Sequence, residues 1–218
     1  MAKSHLYAFS FSQPSRSAAI LLGIAGADTF EYHSVNLLGG EHKQEAYLKV
    51  NPRGQVPALV EGDFLLTEGA AILQYVAESR GLTSWYPTDS HVRARTNEWL
   101  HWVHSTIRRS STYALLVPKV ILKKDPAENA LDDFKRHLDV VEQRLASSKF
   151  LVGENPTIAD LFVAPEVDQA RIFGIYDFAA HPNVVRWLAD LEAAVPAYKE
   201  DVEKILAQQA AAAAAAAA

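Results

Sequence analysis

The stretch "YAFSFSQPSRSAAILLGIAG", Tyr7 to Gly26, decides how the first third of the chain is read. "HLYAFS", which runs into it, is strand-like. "PSRSAAILLGIAG" crowds its apolar residues on a helical period. Pro14 suits a first helical turn, where a missing N–H costs nothing, and Gly26 marks a stop. Ser10, Ser12 and Ser15 crowd the turn between strand and helix. A serine in such a place is either an N-cap, with its hydroxyl satisfying a free backbone N–H, or a hydroxyl available for chemistry. Judged by these neighbours alone, capping is the better reading of Ser12.

Working outward, "FEYHSVNL" reads as a second strand, and "GGEHKQEAYLKVNP" as a loop, a short helix and a stop at Asn51-Pro52. "PALVEGDFLL" gives two strands around the turn Glu61-Gly62-Asp63, and "TEGAAILQYVAES" a helix capped at Thr67. Residues 81–90, polar and bearing Gly and Pro, read as a linker. Beyond it the pattern is helical. Val92, Trp99, Trp102 and Ile107 recur at near-helical intervals, and Leu131, Phe134, Leu138, Val141 and Leu145 fall three or four apart, so each set is read along one face. Thr157 and Asp160 have the spacing of a capping box. Pro165 is expected to kink the helix they open, and Pro196 to close the helix of "HPNVVRWLADLEAAVP". The expected organisation is a mixed α/β domain over 1–80, the linker 81–90, an all-α domain over 91–209 and a poly-alanine tail, 210–218. Alanine favours helix but offers little to pack, so no function is expected of the tail.

Composition narrows the function. Apolar residues at 49% and charged residues at 22% are ordinary for a globular chain of 218 residues. A formal net charge of −5 argues against nucleic acid, which needs clustered Lys and Arg. The absence of cysteine removes disulfides, thiolate metal sites and cysteine nucleophiles together. With no long apolar run ahead of the tail, no membrane partner is expected.

In their order along the chain, "LYAFSFSQPSR", "GEHK", "YLKVNPRGQVPAL", "LTEGAAILQY", "WYPTDSHVRARTNEWL" and "TIADL" resemble the soluble glutathione transferases, above all the serine-using theta class and its relatives. The resemblance covers nearly all of the chain before the tail. It implies a thioredoxin-like domain that holds glutathione, followed by an all-α domain that forms most of the electrophile pocket. The implied activity is transfer of alkyl or aryl groups to glutathione, a co-substrate, with no cofactor. The implied setting is a cytoplasmic homodimer acting in detoxification. The rival is a non-catalytic member of the same fold, serving as a binding or assembly module.

The resemblance also assigns residues. A free thiol titrates at about 8.5, so an enzyme using glutathione must favour its anion. Ser12 matches the serine whose hydroxyl does this, which reverses the odds against a mere cap; Ser10 is the alternative and Ser15 belongs to the first helical turn. Tyr7, inside the strand, reads as a core or pocket-wall residue. His42 corresponds to the contact for the glycine carboxylate, with Lys43 beside it. Gln55 and Val56 precede a cis Pro57, Val56 offering its backbone to the peptide, and Arg53 lies at the rim. Glu68 matches the residue near the γ-glutamyl ammonium. Gly69 departs from the family's Glu-Ser, leaving only a backbone N–H for the γ-glutamyl carboxylate. Arg108 is either an electrophile-pocket residue that assists an anionic leaving group or one of a solvated pair with Arg109. Ser105 stands where relatives often carry an aspartate that reaches the neighbouring subunit. His101 and His104 have metal-binding spacing but no third ligand, so no metal is expected.

Overall fold

A computed structural model describes residues 3–217. The chain divides into two compact units, with the boundary between Tyr86 and Pro87.

The first unit runs β1 (Ser4–Ala8), α1 (Gln13–Ala25), a 3-10 turn, β2 (Phe30–Ser34), a second 3-10 turn (Glu41–Lys43), α2 (Glu45–Leu48), β3 (Ala58–Glu61), β4 (Phe64–Thr67) and α3 (Gly69–Ser79). Its sheet has the order β2-β1-β3-β4, with β1 and β2 parallel and the other pairs antiparallel. This is the thioredoxin-like plan expected. Strand alternation sends Ser4, Leu6 and Ala8 to the buried face and His5 and Tyr7 to the other. Leu21 and Leu22 of α1 and Ile72 and Leu73 of α3 are completely buried. Helices α1 and α3 pack on one another. Gly26 ends α1 at φ 135°, a conformation costly for any residue with a Cβ.

A polar knot closes the far end of this unit. Glu61, at the end of β3, accepts from the Ser4 hydroxyl, from Tyr75 Oη at 2.6 Å and from Arg80 Nη2 at 2.8 Å. Burial pushes the Glu61 carboxyl up, but the hydrogen bonds from Ser4 and Tyr75 and the Arg80 guanidinium outweigh it and hold the carboxyl below the ordinary value. A depressed value in the folded state means that the stabilisation is complete above about pH 4.3, the ordinary glutamate value, and is lost as the pH falls through the folded value. Glu61→Gln should therefore cost about 1–3 kcal/mol at neutral pH. Its urea midpoint should converge on that of the native protein on acidification, and a gap constant with pH would exclude Glu61 as the titrating group.

The second unit is helical throughout: α4 (Ser90–Ser105), a wide helix with i to i+5 bonding (Arg109–Ile121), α5 (Ala130–Leu145), α6 (Ile158–Ile172), α7 (Pro182–Ala194) and α8 (Pro196–Ala217). Asp89 caps α4 by accepting from the N–H groups of His91 and Val92. Helix α6 is buried along nearly all its length and carries the core. Phe134, Leu138, Val141 and Leu145 pack inward from α5. The Thr157 and Asp160 capping box is present at the start of α6. Asp160, fully buried, also accepts from Leu151 N–H at 2.9 Å and from Trp187 Nε1 at 2.9 Å, so it binds a loop and α7 to the helix it caps.

Several sequence expectations are corrected. Glu68, not Thr67, is the cap residue of α3, because Thr67 remains in the β4 ladder. Leu131 is 43% exposed, and its neighbour Ala130 takes the buried position. Pro165 lies inside α6, as expected, and α7 stops at Ala194 just ahead of Pro196, which also opens α8, where its fixed φ suits a helix start. The alanine tail continues α8 as far as Ala217; Ala218, like Met1 and Ala2, lies outside the described residues. No helix of the described residues is long and apolar enough to cross a membrane.

Candidate functional site

The three serines of the opening stretch separate by environment. Ser15 is buried, and its hydroxyl finds no partner. Ser10 is half-buried in the turn after β1. Ser12 occupies the N-cap position of α1, with φ −83° and ψ 117°. Its backbone does what a cap residue's should: the N–H donates to Phe9 O at 2.9 Å, and the C=O accepts from Arg16 N–H at 2.9 Å. Its side chain makes no capping hydrogen bond. The capping reading of the hydroxyl is thereby excluded, and a half-buried O–H stands at a helix N-terminus. The first turn of that helix holds no acidic residue, so the positive end of its dipole is not offset locally.

Two loops flank this turn in the same unit. His42 lies in the 3-10 turn Glu41–Lys43, half-buried, and its Nδ1 is enclosed without a hydrogen-bond partner. The turn is held against the segment that follows Asn51: a Cβ on Gly54 would fall 2.9 Å from the His42 carbonyl oxygen, and Gly54 also has φ 61°. Only glycine meets both conditions without displacement. Gln55 is exposed, but its carbonyl is anchored by Tyr47 Oη at 2.6 Å and by Asn51 Nδ2 at 2.7 Å. Asn51 Oδ1 accepts from Arg53 N–H at 3.1 Å. Burial pushes the Tyr47 phenol up, so it stays protonated and keeps donating. The Val56-Pro57 peptide is cis, as expected. Among the described residues, the N–H and C=O of Val56 take no part in a backbone hydrogen bond.

Sequence reasoning missed Tyr47 and Asn51 as the residues that shape this loop. Helix-stop signals alone account for Asn51 in the sequence, and the signal that it does more is its place in Asn-Pro-x-Gly, a turn whose first side chain bonds forward to the backbone.

At the start of α3, Glu68 has φ 70° and ψ 115°, a strained conformation for a residue with a side chain. That backbone turns the Glu68 carboxylate outward, 56% exposed, to meet Arg53 Nη1 at 3.2 Å. At this exposure the pair adds little stability. Gly69 is the buried first residue of α3, and no acid occupies that first turn.

Arg108 does not join a solvated pair with Arg109. Its Nε donates to Glu166 Oε1 at 2.7 Å, its side chain is 14% exposed, and the guanidinium lies 5.4 Å from the centre of the Phe162 ring. Glu166 is fully buried and also accepts from Ser111 at 3.0 Å, Thr112 at 2.7 Å and Gln169 at 3.2 Å. A buried carboxylate needs such a counter-charge, and Arg108 supplies it to Glu166. Ser105 is exposed at the end of α4. His101 and His104 are exposed, and His104 rests against Phe162.

Comparison with known proteins agrees with this geometry. Residues 2–78 match the family model "Glutathione S-transferase, N-terminal domain" and residues 109–194 match "Glutathione S-transferase, C-terminal domain". The chain belongs to the glutathione S-transferase family. It is 36% identical over 199 residues to the mouse glutathione S-transferase theta-1, spanning 87% of this chain and 82% of that one, and the human theta-1 protein matches equally. Among solved structures, the apo form of human glutathione-S-transferase T1-1 superposes with a TM-score of 0.82 at 35% identity, covering 93% of this chain and 89% of that one. A Bombyx mori glutathione transferase superposes with a TM-score of 0.87 at 25% identity, covering 96% of each chain. As a glutathione S-transferase the protein is a theta-like transferase acting on glutathione, and Glu68, His42 and Ser12 all lie within the stretch that matches the N-terminal family model.

Proposed function

We propose that this transferase binds glutathione along the first unit, with Ser12 Oγ donating to the sulfur and holding it as the thiolate. The thiolate then attacks small apolar electrophiles. The reading is carried by one observation: the Ser12 hydroxyl stands at the start of α1 and is not consumed in capping. A hydrogen bond to the anion and the positive helix end act together on a sulfur placed there, and both lower its pKa.

The tripeptide's remaining groups find partners of the right sign. His42, with an enclosed and unpartnered Nδ1, takes the glycine carboxylate. Val56, ahead of the cis Pro57, offers a free N–H and C=O for strand-like pairing, and Gln55 borders it. Glu68 answers the γ-glutamyl ammonium, while the Gly69 N–H at the start of α3 receives the γ-glutamyl carboxylate. We further propose a cytoplasmic homodimer acting in detoxification, with glutathione the only co-substrate.

A difference spectrum of bound glutathione tests this reading. Thiolate absorbance at neutral pH, where a thiol titrating at about 8.5 is almost wholly protonated, is the expected result. Glutathione that binds but remains a thiol rules the activation out. Absence of binding promotes the non-catalytic module, which the missing hydroxyl at Gly69 favours. That hydroxyl supplies a separate prediction. Gly69→Ser should tighten glutathione binding about ten- to a hundredfold in calorimetry, the worth of one hydrogen bond to a charged group. An unchanged affinity would mean that another donor already serves the γ-glutamyl carboxylate.

A further inference from the structure

On the solvent-facing side of β1 and β2 lies a cluster that the transfer chemistry does not use. The parallel register sets His5 opposite Glu31 and Tyr7 opposite His33, so the four side chains share one sheet face. His5 Nδ1 and His33 Nε2 are 2.9 Å apart. Glu31 brings one carboxylate oxygen to 3.9 Å from His5 Nδ1 and the other to 3.8 Å from His33 Nε2. The three potential ligand atoms all lie within 4.8 Å of one another. Tyr7 stacks on His33, with ring centres 4.6 Å apart and planes 16° apart, and so fixes the direction of that imidazole. The cluster is reachable from solvent, the side chains of His5, Glu31 and His33 being 38%, 50% and 31% exposed.

We propose that His5, Glu31 and His33 bind a divalent transition-metal ion of the zinc type, with a fourth position left to water. Two imidazole nitrogens and a carboxylate oxygen are a ligand set suited to Zn²⁺ and its neighbours rather than to Mg²⁺ or Ca²⁺. At 2.9 Å the two ring nitrogens share one proton, one donating and the other accepting. The metal takes the place of that proton. Zinc–nitrogen bonds of about 2.0–2.1 Å in tetrahedral geometry put the nitrogens about 3.3 Å apart, so the rings separate by a few tenths of an ångström while the half-exposed Glu31 side chain turns to bring one oxygen onto both. The competitor is Lys3, whose Nζ lies 3.9 Å from Glu31 Oε2. This inference is independent of the glutathione reading, because none of the three residues has a place in it.

Metal-free protein titrated with Co²⁺ tests the site through its visible bands, with Zn²⁺ added to displace the cobalt. One Co²⁺ per chain, with the intense bands of a low-coordinate site, is expected. His5→Ala and His33→Ala should each weaken binding by about a hundredfold or more, and Glu31→Gln by about tenfold. The doubly substituted His101→Ala, His104→Ala protein should bind as the native one does. Glu31→Gln is nearly isosteric at a half-exposed position and keeps the test valid should a histidine variant unfold. Native-like affinity in all three cluster variants, loss of binding in the His101 and His104 variant, or no stoichiometric binding by the native protein would each overturn the proposal.

Discussion

Ser12→Ala is expected to lower kcat/KM for glutathione conjugation by about ten- to a hundredfold, the loss of one hydrogen bond to a charged sulfur. Glutathione affinity should change much less, because in the proposed complex His42, Val56, Glu68 and Gly69 hold the peptide and Ser12 reaches only the thiol. The defect should be largest near neutral pH and shrink as the pH rises towards about 8.5, where glutathione ionises without help. A pH profile of kcat/KM against one activated electrophile separates this from a folding defect, which alkali would not repair. Ser12 makes no side-chain capping bond, so its removal leaves α1 with the backbone capping it already has. Ser10→Ala is the control. Full activity in Ser12→Ala with a loss in Ser10→Ala would move the role two residues upstream; full activity in both would remove hydroxyl activation from the mechanism.

The second large effect concerns stability. Asp160→Ala should destabilise the protein by about 3–5 kcal/mol, because four hydrogen bonds are lost at once, three of them from buried N–H groups that cost about 1–3 kcal/mol each. These are the N–H groups of Leu151 and Thr157 and Trp187 Nε1. Burial pushes the Asp160 carboxyl up, while the four hydrogen bonds it accepts favour the anion. A loss of this size is a large fraction of the stability of a typical domain. The change should appear as a lowered urea midpoint, and Asp160→Asn should fall between the two because one acceptor oxygen survives. A loss below about 1 kcal/mol would mean that other acceptors replace Asp160.

The capping box illustrates how far local reading carries. Thr157 and Asp160 are three residues apart, and their bonds are made within one helical turn. The strand, turn and helix of Tyr7 to Gly26, the two-residue hairpin at Gly62 and Asp63, and the inward face of α5 were legible for the same reason. The misplacements at Thr67 and Leu131 are shifts of one residue at a boundary, where strand pairing and packing compete with helix signals. Arg108 is a different case. Nothing near it announces Glu166, 58 positions away, and a guanidinium followed by a second arginine looks solvated until the carboxylate beside it is found.

By itself the sequence determined the order and kind of the elements, because these depend on backbone preferences reaching only a few residues, and the family showed in the order of its motifs along the chain. Tertiary structure decided which hydroxyl is left uncapped, which ring nitrogen is enclosed without a partner, which arginine is consumed by a buried acid and which histidines meet across parallel strands. Those outcomes depend on desolvation and on register between distant segments, and neither is written in the spacing of neighbours.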